Sequence, residues 1–153
     1  MTFDLDRFTD AQDGADGFAN ALAELDAGAK RRHWIWYIFP QLAGLGSSPM
    51  AEMYGLRGAD EAAAYLAHPV LRDRLLSAMN AVRRQPAVPL RTLMGSQIDV
   101  LKLVSSMTLF REVARCVKDD DVAAAADGIL QVAGRQGFAQ CQLTLRQLAC
   151  RTS

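Results

Sequence analysis

The stretch Gln97-Ile98-Asp99-Val100-Leu101-Lys102-Leu103-Val104-Ser105-Ser106-Met107-Thr108-Leu109-Phe110-Arg111-Glu112-Val113-Ala114-Arg115-Cys116-Val117 decides the fold class. It holds no Pro or Gly over six turns, and from Ile98 to Met107 it is apolar nearly all round, which is the pattern of a helix enclosed by other helices. At about 100° per residue, Asp99, Lys102 and Ser106 fall in one narrow sector that Phe110 and Val113 continue. Arg111, Glu112 and Arg115 lie opposite, so this sector is expected to face inward. Ser105 and Thr108 lie further round.

Helical punctuation continues on both sides. Asp119 to Asp121 supply a cap for a helix over Val122 to Val132, Gly134 and Gly137 mark a turn, and Phe138 to Cys150 reads as a last helix with Leu145 and Leu148 inward. Upstream, Leu71, Leu75, Met79 and Val82 form the apolar face of a helix that starts on Pro69 and stops at Pro86 and Pro89. Asp60 and Glu61 suit the first turn of a helix to Ala67, closed by His68-Pro69, where His68 is a helix-end cap. Ser47 and Ser48 precede a short helix at Pro49. Phe18, Leu22 and Leu25 predict a helix from about Ala15 to Ala27, stopped by Gly28, with a shorter one around Leu5 to Gln12. Strand alternation is scarce. The expectation is an all-α protein, residues 1–153 forming a single domain, an irregular bundle of about seven or eight helices around the central one at 97–117.

Composition narrows the class. Half of the 153 residues are apolar and the formal net charge is zero, so the chain can bury a continuous core and is neither disordered nor supercharged. A neutral chain gives no general attraction to phosphate backbones, and Arg135, Arg146 and Arg151 on an acid-free tail read as a solvated face, so nucleic acid is not an expected partner. No apolar run is long enough to span a bilayer and no basic-then-apolar leader opens the chain, which places the protein away from membranes and in the cytoplasm. Cys116, Cys141 and Cys150 show no C-x-x-C spacing and no nearby histidine; buried, reduced thiols are expected rather than a disulfide or a metal site.

Chemistry concentrates in two blocks. The first is Lys30-Arg31-Arg32-His33-Trp34-Ile35-Trp36-Tyr37-Ile38-Phe39-Pro40-Gln41, which holds both tryptophans and one of two histidines. Indole and imidazole groups beside cations can wall a pocket for a planar ligand, with Lys30 or His33 meeting its anionic group; the same aromatics can equally be core fillers. Gly44-Leu45-Gly46-Ser47-Ser48 then leads into a helix and could present amides to an anion, though a plain turn with a serine cap explains it and is favoured. The second block is Asp99, Lys102 and Ser106 with Ser105 beside them. Buried charges must either pair, here as an i, i+3 bridge, or line a wet cleft. No nucleophile elbow, H-E-x-x-H, paired-carboxylate or kinase pattern is present, and no motif specifies a cofactor.

Arg7-Phe8, Ala11-Gln12, the two blocks, Gly44-Leu45-Gly46-x-Ser48, Tyr54 and Tyr65-Leu66-x-His68-Pro69-x-Leu71 together resemble an uncharacterised bacterial family of domain-of-unknown-function proteins, often labelled calpastatin-like. The likeness runs over nearly the whole chain. It implies an all-α fold of the small multihelical superfamily named for a mycobacterial member, and it implies nothing specific about activity. The calpastatin label suggests an inhibitor of a disordered, polar kind, opposite to this composition, and is set aside. Where family members carry an acidic residue shortly before a Thr-Leu pair, this chain has Gln140-Cys141-Gln142-Leu143 before Thr144-Leu145.

The reading that follows is a domain that binds a small anionic or nucleotide-like molecule in a cleft between the Lys30–Gln41 block and the inward face of helix 97–117. Its candidate ligand contacts are Lys30, His33, Trp34, Trp36, Gln41, Asp99, Lys102, Ser105 and Ser106. Were the site catalytic, Lys30 or His33 would bind or protonate the substrate, and Asp99, Lys102 and Ser106 would position it. The alternative is a non-catalytic helical protein-interaction module with the aromatic block as core.

Overall fold

In the computed structural model, which describes residues 2–149, ten helices are present: α1 (Asp6–Gln12), α2 (Phe18–Asp26), α3 (Ile35–Ile38), α4 (Pro49–Tyr54), α5 (Ala59–Ala67), α6 (Pro69–Arg83), α7 (Leu90–Met94), α8 (Gln97–Val117), α9 (Asp120–Arg135) and α10 (Gln142–Ala149). The chain is all-α, as its periodicity requires. The count exceeds seven or eight because α3 and α7, four and five residues long, are too short to show a helical period. In α7 a helix still forms because Pro89 presets the entry, Gln136 Oε1 accepts from the Leu90 N–H at 2.8 Å, and Gly95 closes it in the left-handed region.

α8 is the organising element. It packs along α9, with α5, α7 and α10 also against it, while α6 packs on α9, α2 and α5. Leu103, Met107, Leu109, Phe110 and Ala114 on α8 meet Ala125, Ile129 and Ala133 of α9 and Leu71, Leu75 and Met79 of α6 in one core. Boundaries came out largely where capping chemistry put them. Ser96 Oγ accepts from the Asp99 N–H at 3.1 Å, Ser48 Oγ from Ala51 N–H at 3.1 Å, and His68 Nδ1 from Leu71 N–H at 3.3 Å. Asp119 caps α9 and also takes a two-pronged contact from Arg72 at 2.7 and 2.9 Å, tying α6 to α9.

Several expectations need correction. The second helix begins at Phe18 rather than near Ala15, because Gly17 runs extended against α1, where a Cβ would stand 2.1 Å from the Gln12 carbonyl oxygen. Gly134 lies inside α9, and the turn is made at Gly137 alone. The last helix starts at Gln142; Phe138 to Cys141 run outside helix, and Thr144 is buried where Leu145 and Leu148 are only half-buried. α8 is not enclosed all round, since Ile98 and Leu101 are 65% and 48% exposed. Cys116 is exposed and Cys141 half-buried, so neither is a sequestered thiol; both are free, and Cys150 lies outside the described residues.

Candidate functional site

The aromatic block divides within three residues. Trp34 is wholly buried, and its indole N–H donates to Glu24 Oε1 at 3.0 Å. The same carboxylate accepts from the amides of Arg31 and Arg32 at 2.7 and 3.0 Å and from the Arg32 guanidinium at 2.8 Å. Burial alone would raise the Glu24 pKa, but these four donors hold it down at about 2. Glu24 was not singled out in the sequence, although a carboxylate between Ala21 and Leu25 on the inward arc of an amphipathic helix is a readable sign of a buried polar anchor.

Trp36 is different. It is half-buried and lines a cavity of about 580 Å³, the size of a small-molecule site. Its indole N–H is buried and has no hydrogen-bond partner among the described residues. The Lys102 ammonium stands over its ring, 4.5 Å from the centroid. Gln41 adds to the same wall, held by an isolated parallel bridge in which the Leu56 N–H donates to the Gln41 carbonyl at 2.9 Å and Ala43 N–H to the Leu56 carbonyl at 2.8 Å. Leu45, Gly46, Ser47 and Ser48 continue it, so the segment read as a plain turn is both a capped turn and a cavity wall.

The second wall is the start of α8, through Ile98, Leu101, Lys102, Val104 and Ser105. On the helical wheel the centre of this face is rotated roughly 100° from the sector of Asp99, Lys102 and Ser106. It lies on the side that Arg111, Glu112 and Arg115 occupy further along. The cavity therefore opens on the outward side of α8, and Ser106, expected to face it, is wholly buried beneath the helix. The sequence misled here because Ile98 and Leu101 are apolar yet exposed, and a wheel cannot tell a cavity mouth from a core. The third wall, Ala139, Cys141 and Leu143, has no counterpart in the sequence reading.

Charge is distributed unevenly. Asp99 sits between two ammonium groups, Lys30 at 2.8 Å and Lys102 at 3.7 Å. The Lys30 side chain is 5% exposed and its ammonium lies 5.1 Å from the Trp34 ring centroid. Its backbone is fixed on α7 by a 2.7 Å bond from its N–H to the Leu93 carbonyl, beside Gly95, where φ is +85 and a Cβ would stand 3.0 Å from the Lys30 carbonyl oxygen. Lys30 consequently serves Asp99 and does not line the cavity. His33 is exposed and also off the cavity. Of the candidates, Trp36, Gln41, Lys102 and Ser105 come together at the cavity, Lys30 and Asp99 stand behind Lys102, Trp34 and Ser106 are core, and His33 is outside. Among the described residues no cluster of His, Cys, Asp or Glu could hold a metal ion, and no helix is long and apolar enough to cross a membrane.

The fold and the cavity define an all-α multihelical domain with a recess of small-molecule size, charged at Lys102, polar at Gln41 and three serines, and apolar at its mouth. Residues 2–127 match the family described as "Protein of unknown function (DUF1810)", and the chain belongs to that family. It is similar in structure to the conserved hypothetical protein Rv1873 from Mycobacterium tuberculosis, with a TM-score of 0.80 and 38% sequence identity over 96% of this chain and 97% of that one. None of the curated proteins matches the chain. The third wall of the cavity lies beyond the residues matched to the family.

Proposed function

We propose that the protein binds a small anionic molecule with an apolar body in the cavity formed by Trp36, the 41–48 segment, the first turns of α8 and residues 139–143. The observation that carries this reading is that one carboxylate, Asp99, serves two lysines, with Lys30 at the shorter distance. Two positive charges and one negative leave a net positive charge, and Lys102 is the charged side chain that lines the cavity. In a recess partly shielded from water that uncompensated charge attracts an anion more strongly than it would on an open surface. Ile98, Leu101 and Leu143, exposed and lining the same cavity, suit the apolar remainder of the ligand.

The test is a thermal-shift series with aromatic and aliphatic carboxylates, phosphates and their neutral isosteres, since a ligand that binds only the native state raises its apparent stability. Carboxylates or phosphates with an apolar body raise the melting temperature of the wild type and not of Lys102→Met. Equal shifts from neutral isosteres, or shifts that survive Lys102→Met, refute the reading. The exposed apolar trio supports one other reading, a non-catalytic module whose partner protein covers Ile98, Leu101 and Leu143. In that case Leu101→Asp abolishes partner binding and Lys102→Met leaves it intact.

A further inference from the structure

Cys141 is held in place more firmly than a connector residue needs to be. Its backbone N–H donates to Thr108 Oγ1 at 3.1 Å, and that hydroxyl donates to the Val104 carbonyl at 2.8 Å, which pins the residue to α8. The preceding Gln140 is tied to the same helix by the Arg111 guanidinium. The Cys141 side chain, half-buried, lines the cavity with Lys102, Ser105 and Trp36, immediately before α10.

The surroundings of its sulfur favour the charged form. Burial raises the thiol's pKa, but the hydroxyl of Ser105 and the amides of Thr144 and Leu143 at the start of α10 outweigh it, so the thiol titrates below its ordinary value. Thr144 is a separate sign. Three residues on from Cys141, its side chain is wholly buried, yet its hydroxyl has no hydrogen-bond partner among the described residues. A neutral thiol is a weak acceptor for such a hydroxyl and a thiolate a strong one.

The cavity walls also select the chemistry. Among the described residues no imidazole and no carboxylate lines them, so none of these takes a proton from an attacking water, as hydrolysis requires. A thiolate that displaces another thiolate needs no such base. We propose that Cys141 is a nucleophilic thiol that exchanges with a small disulfide bearing a carboxylate, the carboxylate being held at Lys102. Cys141 first releases its proton to solvent. Its thiolate attacks one sulfur of the disulfide; that S–S bond breaks, a Cys141–S–S–R bond forms, and the other half leaves as a thiolate and takes up a proton. The Cys141 sulfur is oxidised and the departing sulfur reduced. This inference rests on the anion reading of the cavity and adds a covalent step to it.

The experiment uses the full chain with two probes, anionic dithiobis(nitrobenzoate) and neutral dithiodipyridine, and maps the modified thiol by peptide mass. Exposed Cys116 is an internal comparison. The anionic probe reacts first at Cys141, the fast phase disappears in Cys141→Ser, and Lys102→Met slows it roughly tenfold while the neutral probe changes less than about twofold. First reaction at Cys116 or Cys150, or a Lys102→Met effect equal for both probes, overturns the thiol inference. Nitrobenzoate, which carries the ring and carboxylate without a disulfide, separates the two levels. If it stabilises wild type but not Lys102→Met and Cys141 is still unselective, the covalent step fails alone; if it stabilises neither, the anion reading fails and takes the exchange with it.

Discussion

Two lysine–tryptophan pairs stand on either side of Asp99. Lys30 lies over Trp34 and Lys102 over Trp36, at 5.1 and 4.5 Å, and both ammoniums contact the same carboxylate. The first pair is sealed: Trp34 is wholly buried, its N–H is bound by Glu24, and Lys30 is 5% exposed. The second pair faces a cavity, with Lys102 24% exposed and the Trp36 N–H without a partner among the described residues. Identical residue types thus do different work, and the difference lies in what surrounds them. A sealed pair contributes packing and a satisfied charge; an open one retains charge and a donor for something else.

The largest expected effect lies on the sealed side. Trp34→Ala costs about 3 to 5 kcal/mol, since it removes a buried aromatic and strips Glu24 of a donor; chemical denaturation measures it. A cost near zero would mean that Trp34 is not core and would erase the contrast with Trp36.

Glu24 gives the next largest effect and a pH signature. Its folded pKa of about 2 lies below the ordinary 4.5, so its contribution is complete above pH 4.5 and is lost as pH falls from there toward 2. Glu24→Gln loses roughly 2 to 3 kcal/mol at neutral pH and flattens this part of the stability profile. An unchanged acid limb in the variant would show that Glu24 does not hold the sealed side together.

Replacing each lysine sharpens the comparison directly. Lys30→Met costs about 2 kcal/mol because it leaves Asp99 poorly compensated behind the cavity, whereas Lys102→Met costs within about 1 kcal/mol because a partly hydrated ammonium leaves little unpaired. Denaturation midpoints decide it. Equal and large losses for both would make the whole triad a structural bridge and remove the polar part of the cavity.

The smallest effect belongs to His33. Exposed and off the cavity, it is expected to change stability by less than about 0.5 kcal/mol as His33→Ala and to leave ligand-induced thermal shifts as they were. A lost shift would bring the block's N-terminal end into the site.

The sequence by itself determined the helical class, the extent of α8 at 97–117, and the caps at Ser48, His68 and Asp119, because caps and the 3.6-residue period act within one or two turns of chain. It also singled out two blocks, Lys30–Gln41 and the start of α8, because both mix polar groups into apolar surroundings, and residues of both line one cavity. The tertiary structure alone decided which tryptophan is sealed, that Asp99 is shared by two lysines, that the cavity lies on the outward side of α8, and that Cys141 lines it. Each of these depends on contacts between residues far apart in the chain: Lys30 with Asp99, Trp36 with Lys102, Cys141 with Thr108. Local periodicity places a side chain on a face of its own helix, and only the packing of the other elements decides whether that face meets core, water or a cavity.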